Sequence, residues 1–166
     1  LDKENQSNYR PISHLSFLSK LTKRLVKNRL TDYLSKNSLL NSYQSAYTQF
    51  HSTETTLLAV HDFIIRAMSK QQVTGLFLLD LSAAFDTIDH SILLHHLSTW
   101  FGFNGKVISW LASYLSSRSF IVTIHSTSAH SPLHQGVPQG SVCGPLLFIL
   151  YTTPLSSLIS NSSVGH

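Results

Sequence analysis

Asp80 is the residue of this sequence most suited to chemistry, because it follows directly on an apolar run. Leu76–Leu79 is continuously apolar, as in a strand that is buried on both faces of a sheet. A buried, unpaired carboxylate is costly, so Asp80 must reach water or a positive partner where that strand ends. A carboxylate held there suits Mg²⁺, which prefers hard oxygen ligands. Asp80 could equally cap the turn after the strand, and these residues alone leave both interpretations open.

A second candidate is the loop HQGVPQGSVCGP at residues 134–145, which is rich in turn-forming residues. Gly136 and Gly140 bracket Pro138, and a helix is predicted to begin near Pro145, since proline is tolerated in a first turn. Backbone N–H groups at the start of a helix attract phosphate. The loop therefore indicates either a phosphate-binding turn or an ordinary connection.

A third candidate is a basic stripe on a helix predicted after Pro11. An apolar set recurs near the helical period, which predicts that Leu18, Leu21 and Leu25 face the core. Tyr33 belongs to the same set, and Val26 and Leu30 lie beside it. The basic side chains on another face are Lys20, Lys23, Arg24 and Lys27. They form either a solvated surface or a surface that faces phosphate groups.

The elements that must hold these candidates are mostly helical. A second helix is predicted to begin after the N-cap Ser52, with Glu54 in its first turn and an apolar stripe that ends at Met68 in the core. Asp86 and Asp89 are predicted to cap the helix that follows them. The remaining predicted elements are helices over about His90–Phe101 and Lys106–Ser116, and a strand over about Phe120–His125. This mixed order predicts an α+β fold.

The composition favours a globular domain. The 166 residues are 42% hydrophobic and 12% charged, which suits a packed core and excludes disorder. The net charge of +4 permits an acidic partner. Cys143 is the only cysteine, so an internal disulfide is excluded and a zinc cage is disfavoured. Cys143 itself is predicted to be a small buried residue.

Targeting signals are not evident in the sequence. The first residues contain no apolar signal core, and the longest apolar stretch, residues 142–155, is interrupted by glycine and proline. We therefore expect no association with a membrane and a location in the cytoplasm or the nucleus.

Four stretches occur in an order that is typical of one family. They are NYRPISHLSFLSKLTKRLVKNRL, QSAYTQFHSTETTLL, LFLLDLSAAFDTIDH and HQGVPQGSVCGPLLFILYT, and they span roughly residues 8–153. Together they closely resemble the reverse transcriptase domain of non-LTR (LINE-type) retrotransposons. The resemblance implies a right-hand polymerase fold, with a fingers-like region at residues 1–70. It also implies a partial palm at residues 71–166, which carries the first and second palm motifs.

The resemblance also implies templated addition of deoxynucleotides by a mechanism that uses two Mg²⁺ ions. Asp80 would be the catalytic carboxylate that holds both metals, with the Leu81 carbonyl as a further ligand. Ala83 and Ala84 would offer backbone N–H groups to the triphosphate. The ring of Phe85 would exclude a 2′ hydroxyl.

Further residues are implied to contact substrates. Gln139 and Gly140 match the second palm motif, which lies along the incoming nucleotide and the template. Arg10 belongs to the fingers-like region and would touch phosphate or template. The implied partners are an RNA template, a DNA primer and deoxynucleoside triphosphates.

The sequence departs from the family pattern in two places. Thr48 stands where the family often has a basic residue. The aromatic–Ala–Asp–Asp hairpin of the third palm motif does not occur in these residues. We therefore expect a fragment that is truncated before this hairpin and the thumb, and that is inactive on its own. The alternatives are a non-catalytic RNA-binding remnant and a decayed retrotransposon reading frame.

Overall fold

The computed structural model describes residues 13, 16–81, 83–121, 123–124, 126–127 and 131–161. The chain forms two compact units. We call the described parts of Leu1–Leu40 and Ala83–His166 the core unit, and Asn41–Ser82 the middle unit.

Helices dominate the described residues. They are α1 (Phe17–Lys36), α2 (Thr53–Ser69), α3 (His90–Thr99), α4 (Gly105–Leu115) and α5 (Gly144–Asn161). The described strands are β1 (Ser119–Phe120), β2 (Thr123–Ile124), β3 (Ser126–Thr127) and β4 (Ser131–Pro132). The mixture of helices with a small amount of sheet agrees with the predicted α+β class.

The helix starts follow from local hydrogen bonds. Asp89 caps α3, because its carboxylate accepts from the backbone N–H groups of Ser91 at 2.8 Å and Ile92 at 3.0 Å. Ser52 caps α2 in a reciprocal arrangement with Thr55. Both predicted caps are confirmed. The prediction for Asp86 is wrong, since Asp89 occupies the capping position of α3.

The core unit is held together by leucine side chains from its helices and by phenylalanine side chains next to them. The fully buried ones include Leu34, Leu93, Leu97, Phe101, Leu111, Leu115, Leu147 and Leu150. α3 packs against both α4 and α5. Removal of this apolar surface from water is the main term that stabilises the core unit.

The predicted strand over Phe120–His125 is confirmed in part. β1 pairs antiparallel with β4, with Phe120 opposite Ser131. β2 pairs antiparallel with β3, with Ile124 opposite Ser126. Val122 and His125 lie outside the described residues.

The middle unit does not bury a helix face. No residue of α2 is buried, and 66% of the surface of Met68 is exposed, so its predicted place in the core is wrong. The predicted strand at Leu76–Leu79 is also wrong, because residues 72–81 have no regular structure and these side chains are exposed. A strand requires partners for its backbone hydrogen bonds, and none of the described segments pairs with this one.

The predicted apolar face of α1 is correct in part, because Leu30 is buried as predicted but the leucines of the first turns are not. Leu30 and Leu34 are buried, whereas the stripe of Leu18, Leu21 and Leu25 is exposed. Each residue of an α-helix advances by about 100°, which places these two leucine sets on roughly opposite sides. The buried pair fixes the orientation of the whole helix. Lys23 and Lys27 therefore become half-buried, and the four basic residues do not form one exposed face.

Candidate functional site

Residues 83–88 form a tight turn in the core unit. Ala83 has a φ of 51°, and its carbonyl accepts hydrogen bonds from the backbone N–H groups of Asp86 at 2.8 Å and Thr87 at 3.2 Å. A positive φ is unusual for a residue with a side chain, and a small side chain keeps its steric cost low. We call residues 83–88 the A-turn.

The A-turn is hydrogen-bonded to the glycine-rich loop at residues 135–141, which we call the B-loop. The backbone N–H of Val137 donates to the carbonyl of Phe85 at 2.8 Å, and that of Gly136 donates to the carbonyl of Ile88 at 2.8 Å. His90 Nε2 lies 2.7 Å from the carbonyl oxygen of Gly136, within hydrogen-bonding distance. Two stretches that are about fifty residues apart in sequence are thereby fixed side by side.

Gly136 is required for this contact. Its φ is 84°, and a Cβ atom at this position would lie 2.9 Å from the carbonyl oxygen of Asp86. Side chains rarely adopt that φ, and backbone atoms of the A-turn already occupy the space. The glycine therefore allows the two segments to approach each other closely.

The ring of Phe85 is half-buried beside α5. Its centroid lies 5.3 Å from that of Phe148, with an angle of 39° between the planes. Such tilted pairs are favourable packing contacts. The backbone of Phe85 contacts the B-loop, so this residue joins the loop to the core.

The predicted residues of the second palm motif lie at the outer end of the B-loop. Gly140 is exposed, with a φ of 82° and open space around it. Gln139 is half-buried, and its carbonyl accepts from the backbone N–H of Ser13 at 3.4 Å. Its side-chain oxygen Oε1 is buried and accepts no hydrogen bond from the part of the chain that the structure describes.

The last residue of the B-loop, Ser141, is hydrogen-bonded to Tyr114 of α4, and a role for neither residue was predicted from the sequence. The hydroxyl of Tyr114 donates to Ser141 Oγ at 2.9 Å, and the backbone N–H of Gly144 donates to the same oxygen at 3.0 Å. Burial raises the pKa of Tyr114 to about 12, so its hydroxyl stays protonated at neutral pH. A tyrosine within a helix gives no sequence signal for this role, because its partner lies 27 residues further along the chain.

Asp80 and Leu81 belong to the middle unit, whereas Phe85 and the B-loop belong to the core unit. Both residues are exposed at the end of the irregular segment 72–81. The carboxylate of Asp80 and the carbonyl of Leu81 are hard oxygen donors of the kind that Mg²⁺ binds. Among the described residues, no three histidine, cysteine or acidic side chains lie close enough together to hold a metal ion. The donor type therefore fits Mg²⁺, while the described donor set is smaller than a complete site.

Two other predictions concern single residues. Cys143 is fully buried, as predicted, and burial raises the pKa of its thiol. Arg10 lies outside the described residues, so its predicted contact with phosphate or template stays a prediction. Each described helix is too short or too polar to cross a bilayer.

Comparison with known proteins identifies consistent matches. A family model described as reverse transcriptase (RNA-dependent DNA polymerase) matches residues 1–165. The probable RNA-directed DNA polymerase from transposon BS of Drosophila melanogaster is 36% identical over 153 residues, which cover 92% of this chain and 17% of that protein.

Two other relatives come from the same species. The probable RNA-directed DNA polymerase from transposon X-element is 33% identical over 88% of this chain and 16% of its own length. The RNA-directed DNA polymerase from mobile element jockey is 33% identical over 89% of this chain and 16% of its own length. This chain therefore spans less than a fifth of the length of these relatives.

Proposed function

Because this chain belongs to the reverse transcriptase family, we propose that it supplies nucleotide-binding and catalytic residues to an RNA-directed DNA polymerase. The observation that carries the proposal is the hydrogen-bonded contact between the A-turn and the B-loop. It brings Phe85 beside the loop that bears Gln139 and Gly140. The family resemblance assigns all three to the incoming nucleotide, so their presence on two joined segments supports a common binding surface.

The nucleotide-binding roles divide between the two segments. Ala83 and Ala84 offer backbone N–H groups to the triphosphate, and their small side chains let phosphate approach the backbone. Phe85 excludes a 2′ hydroxyl and so selects deoxynucleotides. Gln139 and Gly140 lie along the nucleotide and the template.

The catalytic role falls to Asp80, with the carbonyl of Leu81 as a second oxygen donor. Bound Mg²⁺ ions would supply positive charge at the attacking 3′ oxygen and at the leaving pyrophosphate. Asp80 provides the negative charge that holds these ions in place. A polypeptide limited to residues 1–166 contains no Asp–Asp pair to complete the donor set, so we expect it to be inactive by itself.

The remaining parts of the proposal concern regions and partners. Residues 1–70, including Arg10, form a fingers-like region, and residues 71–166 form part of the palm. The partners are an RNA template, a DNA primer and deoxynucleoside triphosphates. The polymerase activity for which the relatives are named supports the polymerase over a non-catalytic RNA-binding remnant.

The test compares two acidic residues in a complete reverse transcriptase that contains this chain. Asp80→Asn should nearly abolish extension of a DNA primer on an RNA template, with binding of the primer–template unchanged, since an amide lacks the charge that metals need. Asp62→Asn is the control, because Asp62 is an exposed residue of the same unit that pairs with Arg66 at 2.7 Å. It should retain full activity.

Three results would contradict parts of this proposal. An Asp80→Asn variant that keeps about a tenth of the wild-type rate has lost too little transition-state stabilisation for a metal-holding carboxylate. A wild-type protein that binds RNA without extending the primer supports the RNA-binding remnant instead. Primer extension by residues 1–166 alone contradicts their expected inactivity.

A further inference from the structure

We propose that Tyr114 is a positioning residue that fixes the B-loop through its hydrogen bond to Ser141. The inference rests on the proposed polymerase function, since the B-loop carries Gln139 and Gly140. Tyr114 does not itself touch substrate in this proposal. It holds one end of the loop that does.

The hydrogen bonds of Ser141 place it at a junction. Its Oγ accepts from the hydroxyl of Tyr114 at 2.9 Å and from the backbone N–H of Gly144 in α5 at 3.0 Å. Its own backbone N–H donates to the carbonyl of Pro138 at 3.0 Å. Ser141 is only 6% exposed, so the loss of a partner there leaves a polar group short of a hydrogen bond away from water. The junction therefore links the B-loop, α4 and α5.

The ring of Tyr114 makes two contacts with neighbouring side chains. Trp110, one turn earlier in α4, stacks on it with centroids 5.6 Å apart and 2° between the planes. The ammonium group of Lys23 in α1 lies 5.0 Å from the ring centroid. These contacts restrict the orientation of the Tyr114 ring. The Tyr114 hydroxyl is therefore already oriented to donate to Ser141 Oγ. These contacts also explain why Lys23 leaves the exposed basic stripe that the sequence predicts.

The B-loop benefits from such a contact because it has open space around Gly140. A Cβ atom at Gly140 would meet nothing within 4 Å. At the other end of the loop, Gly136 and Val137 are bonded to the A-turn. The position of Gln139 and Gly140 therefore depends on the A-turn at one end and on the contact between Tyr114 and Ser141 at the other, together with the N–H of Ser13 that donates to the Gln139 carbonyl. Small displacements of groups that orient a substrate are costly to catalysis.

The first experiment removes the hydroxyl of Tyr114 and keeps its ring. In a complete reverse transcriptase that contains this chain, Tyr114→Phe should raise KM for a deoxynucleotide about fivefold, the scale of one neutral hydrogen bond. The value of kcat should change less, and the dissociation constant of the primer–template should stay the same. Hydrogen exchange of the backbone amides in residues 136–147 should become faster.

The matched control is Tyr33→Phe. The hydroxyl of Tyr33 donates to the carbonyl of Phe101 at 3.1 Å, within the same unit and outside the B-loop contacts. This variant should lose a comparable amount of stability. The KM for the deoxynucleotide and the amide exchange of residues 136–147 should remain at their wild-type values.

A second variant separates the contact from other effects of the substitution. Ser141→Ala should raise KM by a similar factor, and the Tyr114→Phe, Ser141→Ala double variant should be no worse than Ser141→Ala alone. Non-additive effects are expected when two residues act through one shared hydrogen bond.

The outcomes distinguish this inference from the proposed function. Unchanged amide exchange in Tyr114→Phe overturns the contact, and faster exchange with an unchanged KM overturns the positioning role. Additive effects of the two substitutions also overturn it. If the wild-type protein extends no primer, the proposed function fails, and the exchange measurement alone decides whether Tyr114 holds the loop.

Discussion

The core unit and the middle unit both contain capped helices, yet only the core unit buries a helix face. α3 and α5 contribute leucines that are fully buried, whereas no residue of α2 is buried. The capping box at Ser52 gives α2 a start as well defined as that of α3. Local capping therefore specifies where a helix begins, whereas burial of a helix face requires partners from other parts of the chain.

The residues to which we assign roles also divide between the two units. Phe85 and the B-loop lie in the core unit, where they have extensive hydrogen bonds and packing. Asp80 and Leu81 lie in the middle unit, on an exposed segment without regular structure. The residues proposed to bind the nucleotide therefore belong to the unit with the buried core, and the proposed catalytic carboxylate belongs to the unit without one.

The largest expected effect compares one buried leucine with one exposed leucine. Leu147→Ala should lower the free energy of unfolding by about 3 kcal/mol, because it removes a fully buried side chain of α5 and leaves a cavity. Leu58 in α2 is 68% exposed, so Leu58→Ala should change the free energy of unfolding by less than about 0.5 kcal/mol. Urea denaturation measures both. Equal losses would show that the middle unit buries α2 after all.

The next effect compares two glycines of the B-loop with similar backbone angles. Gly136→Ala should cost about 2–3 kcal/mol, since it combines a positive φ with a clash against the A-turn backbone. Gly140→Ala has a similar φ and open space, so it should cost about 1 kcal/mol. Thermal or urea unfolding of the two variants checks the difference. Equal costs would mean that the contact between the A-turn and the B-loop yields without strain.

A smaller effect concerns selectivity within the core unit. In a complete reverse transcriptase that contains this chain, Phe85→Val should raise the ratio of ribonucleotide to deoxynucleotide incorporation by about tenfold, because the shorter side chain admits a 2′ hydroxyl. Phe148→Leu is the control, since it disturbs the packing partner of Phe85 without touching the proposed sugar site. It should reduce stability and leave the ratio unchanged. An unchanged ratio in Phe85→Val would assign Phe85 to packing alone.

The smallest expected effect is a pH dependence that differs between the units. A hydrogen bond from the Ser91 side chain, then one from the Ile92 backbone, lowers the pKa of Asp89 below its ordinary value of 3.8. Such a carboxylate stabilises the fold above its unfolded pKa and loses that contribution as pH falls through the lower, folded pKa. Asp89→Asn retains a capping oxygen without a titrating charge. Its stability should therefore fall less steeply than that of the wild type below about pH 4.

Glu54 provides the matched case in the middle unit. A hydrogen bond to Ser52 lowers its pKa as well. Glu54→Gln should alter the acid dependence of α2 alone, because α2 contributes no side chain to the buried core. Far-ultraviolet circular dichroism reports helix content and near-ultraviolet circular dichroism reports the packed core. Together they distinguish acid unfolding of α2 from acid unfolding of the core unit. If the wild type and Asp89→Asn had parallel acid unfolding curves, the cap of α3 would carry no pH dependence.

Several predicted features depend on short-range physics, and these agree with the structure. The caps at Ser52 and Asp89 and the extents of α3 and α4 are examples. A capping bond joins groups within three residues of each other, so the local sequence contains both partners. The order of four motif stretches likewise identified the family without any tertiary information.

Other features required the tertiary structure. The sequence of α1 contains two leucine stripes, and only packing against the core selects Leu30 and Leu34 over Leu18, Leu21 and Leu25. The apolar run before Asp80 is typical of a strand, but no strand in the described part of the chain pairs with it.

The same holds for the contacts that shape the site. The sequence by itself determined where most helices start and to which family the chain belongs. The tertiary structure decided that Phe85 meets Gly136 and Val137, and that Tyr114 holds Ser141. The physical reason is that these hydrogen bonds join groups far apart in sequence, whose proximity depends on how the helices pack rather than on any local pattern.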